Sequence, residues 1–177
     1  VKTKNTRGTY VASMNISDTL QLLDAYVISE RVISTFADLS QESLLNDLKI
    51  FQNEYEKVCL KPDLLLITEI NSKFHNRIAE STNNQFLISH SAHLHNLSRR
   101  LSYFVYKFES QSQVKLVKHL KKINKDHQEI INQVEFRNQN RLVKLCTEHA
   151  EMFRKRLQKV INRKGIKKLD LMEIQLK

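Results

Sequence analysis

Proline and glycine are nearly absent from this sequence, with one of the first and two of the second among 177 residues, and tryptophan is missing altogether. So few breakers exclude the tight turns of a multi-strand sheet and favour long helices with short connections. No run approaches 18 consecutive apolar residues, which excludes a membrane-spanning helix. The first residues carry no apolar core of a secretory signal. Cysteine is scarce too. Cys59 and Cys146 lack any Cys-x-x-Cys spacing and read as reduced core thiols of a cytoplasmic protein. Nucleophile elbow, phosphate loop and paired catalytic carboxylates are all missing, so the composition points away from an enzyme.

What is present is charge and helical periodicity. Lysine and arginine number 29 against 19 aspartate and glutamate, a formal net charge of +10. That excess permits an anionic effector, an acidic partner or nucleic acid, and says nothing of fold. The length fits one domain able to bury about 70% of its unfolded surface. Six helices are expected. The first is capped by Asn15 or Ser17 and reaches about residue 38, with Leu20, Leu23 and Val27 on one face. Ser40 is expected to cap the second, which ends near Leu60. Pro62 is expected to open the third, which carries Ile67, Ile70, Phe74 and Ile78 and stops near Asn83. The rest are expected over roughly 84–108, 111–136 and 138–163. Short connections between them imply an antiparallel all-α bundle.

The fifth helix is the most regular. Leu116, Leu120, Ile123, His127, Ile130 and Val134 form a buried stripe, and Lys115, Lys118, Lys122 and Lys125 a facing polar one that reads as solvated. The sixth repeats the pattern with Leu142, Leu145, His149 and Met152. One histidine thus interrupts each apolar stripe. On the third helix Asn71 and His75 stand one turn apart beside an apolar row. Two arrangements satisfy inward imidazoles and amides: separate hydrogen bonds within the bundle, or one shared metal ion. The spacing fits either. His119 and the group His90, His93 and His95 show that helical histidine is common in this chain, and His90 and His93 read as partly exposed.

Ordered motifs add a resemblance. Arg7-Gly8-Thr9-Tyr10-Val11-Ala12 resembles the closing wing strand of a GntR-type winged helix-turn-helix. Asn71 to Ile78 with Asn83 to Leu87 resembles the D-x-x-F-H-x-x-I…N-x-x-L segment of the FadR-like C-terminal (FCD) ligand-binding domain. Asp126 to Ile131 resembles its E-H-x-x-I-I segment, and His149 follows 22 residues after His127. Six helices resemble the shorter, VanR-type variant.

The resemblance implies three segments: 1–14 as the end of a winged helix-turn-helix with Arg7 and Gly8 as its DNA-binding remnant, 15–163 as the effector-binding and dimerisation domain, and 164–177 as a loosely packed tail. It implies a divalent metal, zinc or nickel, at Asn71, His75, His127 and His149, beside a small anionic, carboxylate-bearing metabolite. It implies a homodimer that meets operator DNA through a domain preceding the bundle. Two departures stand out. Asn71 occupies the position of the family's aspartate, and Tyr26 that of an arginine in R-x-x-x-E, so Tyr26, Arg99, Arg100 and Tyr103 become the candidates for holding the effector. The competing readings are a basic helical nucleic-acid-binding module, which lacks aromatic residues interleaved with Arg154-Lys155-Arg156, and a metal-dependent enzyme, which lacks a placed general base.

Overall fold

A computed structural model describes residues 2–3, 9–10, 14–164 and 168–169. Six helices follow in order: α1 (Ile16–Phe36), α2 (Glu42–Leu60), α3 (Leu64–Glu80), α4 (Gln85–Glu109), α5 (Gln113–Glu135) and α6 (Gln139–Lys164). The fold is an all-α bundle, as the scarcity of breakers implies. Among the described residues four two-residue strands flank it. β1 (Lys2–Thr3) pairs antiparallel with β2 (Thr9–Tyr10), and β3 (Met14–Asn15) with β4 (Lys168–Leu169). The second pair joins Lys168 and Leu169 to the entrance of α1 by backbone hydrogen bonds. Arg7 and Gly8 lie outside the described residues.

Asparagine and aspartate start most of the helices. The Oδ1 of Asn15 accepts the Asp18 N–H at 2.7 Å, and the Asn84 side chain accepts from Phe86 and Leu87. Each satisfies a helical N–H that has no partner inside the helix. Two expected starts are corrected. Pro62 stands outside α3, and Asp63 caps it through the Leu65 and Leu66 N–H groups, both at 3.0 Å. Ser40 does not cap α2, since its backbone N–H and hydroxyl both donate to Asp38 in a local turn, which leaves Gln41 at the cap position with no side-chain bond to a helical N–H. With glycine so rare, Asn83 (φ 53°) and Arg137 (φ 52°) supply the left-handed residues that end α3 and α5. At the second, the Asn138 N–H reaches the Gln133 carbonyl at 2.9 Å and closes a Schellman motif.

α1 lies against α4 and α6, α3 against α2 and α4, and α5 against α2 and α6. The inward face of α1 keeps the expected Leu23 but is rotated from the rest of the expected row. Leu20 is turned outward and Val27 is only half-buried, while Leu22, Leu23, Tyr26, Glu30 and Ile33 point in. Three apolar clusters result. One centres on Phe74, Ile78, Ile130 and Leu142, a second on Leu23, Leu101 and Leu157, and a third on Tyr55, Ile67 and Leu120. Phe74, Tyr26 and Tyr55, one from each cluster, pack their rings against buried histidines. The clusters therefore surround a polar centre. Among the described residues no helix is long and apolar enough to cross a membrane.

Candidate metal centre

His75 from α3, His127 from α5 and His149 from α6 meet in the interior, all three buried. One potential donor atom of each lies within 4.8 Å of those of the others. Their ring centroids are 5.2 to 5.5 Å apart. Stacking of Phe74 on His127, at 4.1 Å and 8° between planes, fixes that ring, and Tyr55 flanks it at 5.3 Å. The sequence stripes placed His127 and His149 inward, and the structure puts both there.

Each ring is held by its Nδ1. His75 Nδ1 meets Glu30 Oε2 at 2.9 Å, His127 Nδ1 meets Gln52 Oε1 at 3.0 Å, and His149 Nδ1 meets Asp126 Oδ2 at 3.3 Å. An ionised carboxylate only accepts, so His75 and His149 donate through Nδ1. Gln52 directs its own Nε2 to Glu56 and Asn124, so its oxygen is the atom that accepts from His127. The lone pair of each neutral imidazole is thereby left on Nε2. The Nε2 atoms of His75 and His127, and the Oδ1 of Asn71, are buried without any hydrogen-bond partner. Bare acceptors in a core cost free energy on the order of 1–3 kcal/mol each.

Electrostatics favour the neutral ring at His127 and at His149. Burial holds the His127 pKa well below its ordinary value, and the nearby His149 and His75 push the same way. Burial lowers His149 too, against the opposing pull of Asp126. Burial by itself would raise the Glu30 pKa, but His75 and His95 more than offset this and keep the carboxylate ionised. Glu30 binds both, its Oε1 lying 2.9 Å from His95 Nε2. Glu30, His75 and His95 also bring donor atoms within 4.8 Å of one another. Two ring N–H groups already satisfy that carboxylate, so this second group is a hydrogen-bonded bridge joining α1, α3 and α4.

The other candidate residues lie elsewhere or play a different part. Tyr26 is buried edge-on against His95, with centroids 5.1 Å apart, and burial raises its pKa. Arg99 is half-buried and lies 3.7 Å from Glu69 on α3. Arg100 and Tyr103 are half-buried on α4. His90 and His93 are exposed. His119 is buried in a separate cluster, its Nδ1 at 2.6 Å from Glu109 Oε2. Cys146 is buried and Cys59 half-buried, and both are free thiols.

Sequence reasoning missed Glu30, Gln52, Asp126 and His95 as parts of the site. The signal existed for two of them. Gln52 interrupts the buried row Leu44, Leu48, Tyr55, and Glu30 interrupts Leu23, Tyr26, Ile33. A polar residue breaking an apolar stripe is the same mark that revealed His127.

The sequence profile of the FCD domain matches residues 27–152, well over half of the chain. This chain belongs to the FCD domain family. A comparison with curated proteins found no match. FCD domains are the effector-binding and dimerisation domains of GntR-type transcription regulators rather than enzymes, and often bind a divalent metal. The matched span contains His75, His127 and His149 together with every residue that fixes their rings.

Proposed function

We propose that this FCD domain holds a divalent metal, zinc or nickel, through the Nε2 atoms of His75, His127 and His149, with the Oδ1 of Asn71 as a fourth, weaker donor. One observation carries the reading: three imidazoles on three helices each spend Nδ1 on a fixed acceptor, and two of them leave a buried Nε2 bare. Metal-ligating histidines are oriented in this way by their second nitrogen. Donors bound to one tetrahedral zinc at ~2.0–2.1 Å stand roughly 3.4 Å apart. The separations of up to 4.8 Å need only small ring rotations to reach that spacing.

When bound, such an ion supplies positive charge that polarises or anchors a ligand oxygen. Every candidate donor here is neutral. The nearest fixed negative charges are Glu30 and Asp126, both behind a histidine ring. A dication at this point lacks a carboxylate in contact with it and favours an anionic ligand. A small carboxylate metabolite is therefore the proposed effector, with Tyr26, Arg99, Arg100 and Tyr103 the side chains offered to it.

The domain is proposed to act as a homodimer in the cytoplasm and to meet operator DNA through a winged-helix segment of which residues 1–14 are the end. Effector binding then acts by changing dimer geometry rather than by catalysis. Native mass spectrometry of the protein as purified tests this reading. The expected species is a dimer with one metal per chain and a retained small anion. His127→Ala is expected to abolish metal retention and weaken effector binding while leaving the dimer intact. A metal-free monomer in the wild type contradicts the reading.

A further inference from the structure

A second hollow lies away from the histidines. A groove of about 670 Å³ runs between α5 and α6, with the last turn of α4 also lining it. That volume is in the range of small-molecule sites. Lys115 and Lys118 line it from α5, and Lys155, Arg156, Lys159 and Arg163 from α6. Both rows run at helical spacing, so two cationic faces look at each other across one concavity. Phe108, Met152 and Val160 supply apolar surface.

Three carboxylates also line the groove, and each is already engaged. Glu109 takes Arg156 at 2.7 Å and His119 at 2.6 Å, Glu151 takes Arg154 at 3.3 Å, and Glu148 faces Lys144 at 3.8 Å. Among the described residues no carboxylate lies within 4 Å of Lys115, Lys118, Lys155, Lys159 or Arg163. On a convex helix face such lysines are simply solvated. Five uncompensated cations around an apolar-sided hollow instead repel one another and focus a positive field into it.

We propose that this groove binds a small organic phosphate carrying at least two phosphate groups, gripped between Lys115/Lys118 and Lys155/Lys159, with its apolar part against Met152 and Val160. The site is separate from the histidine centre and does not depend on a metal there. Its occupant bridges α5 and α6, the two helices that carry His127 and His149, and so bears on their relative position.

The test uses the full chain freed of metal with a chelator, at physiological salt, titrated with sodium tripolyphosphate by calorimetry. The expected result is saturable binding of one equivalent per chain. Lys155→Ala/Lys159→Ala should weaken it at least tenfold while helical content and zinc uptake stay those of the wild type. Lys57→Ala/Lys125→Ala, outside the groove and paired with none of its carboxylates, should leave it unchanged. Absence of saturable binding, equal loss in both double variants, or preferential binding of a DNA duplex through Lys155 and Lys159 would overturn the proposal.

Discussion

At Asn71 the proposed centre trades a charge for an amide. A carboxylate at this position would place negative charge beside an otherwise neutral donor set, so Asn71→Asp is expected to tighten zinc binding by about tenfold, roughly 1.4 kcal/mol. Equilibrium competition against a chromogenic chelator measures it. The same change should weaken the anionic effector, because less uncompensated charge remains for it. Gln52→Ala removes the acceptor that fixes His127 and should cost 10–100-fold in metal affinity.

Acid acts through the same rings. The folded pKa values of His119, His127 and His149 lie below the ordinary 6.5. Below that value the unfolded chain binds more protons than the fold, so the metal-free protein should lose stability as pH falls below 6.5 and regain it towards pH 7. Urea midpoints at pH 5, 6 and 7 should rise in that order, and a flat series contradicts it. His127 and His149 were legible in the sequence because each broke an apolar stripe. Glu30 is hidden because Leu20, Leu23 and Val27 suggest a face of α1 about one residue out of phase with the buried one. His95 was hidden because its exposed neighbours His90 and His93 made histidine on α4 look ordinary.

The helices themselves were the easiest part to read, since two glycines and one proline leave few other ways to fold 177 residues. Their ends were harder. Ser40 and Pro62 carry strong statistical signals for a helix start, yet Asp38 and Asp63 override them with side-chain hydrogen bonds that composition alone does not rank. The scarcity of glycine leaves a mark at Arg137, which ends α5 in a left-handed conformation. That conformation costs an ordinary residue about 1–2 kcal/mol. Glycine avoids the steric cost and gives back part of the gain as unfolded-chain entropy. Arg137→Gly is accordingly expected to stabilise the fold by roughly 0.5–1 kcal/mol, read as a higher urea midpoint with an unchanged slope.

For the whole molecule, the three apolar clusters explain why a polar centre survives in the core. Each contributes an aromatic ring that packs against a histidine, and each of the three imidazoles has a hydrogen-bonded partner behind it. Convergence of three helices on one point is a tertiary fact, which spacing along the chain leaves open and the fold supplies. Regulatory output is proposed to need a DNA-reading domain that the effector-set dimer geometry positions on the operator. The central claim concerns the ion, and X-ray absorption at the zinc or nickel edge of the loaded wild-type protein tests it most directly. The account predicts three imidazole nitrogens at roughly 2.0–2.2 Å with oxygen completing the shell, and loss of that signature in His75→Ala, His127→Ala and His149→Ala. An oxygen-only shell, or uptake unchanged in all three variants, would contradict it.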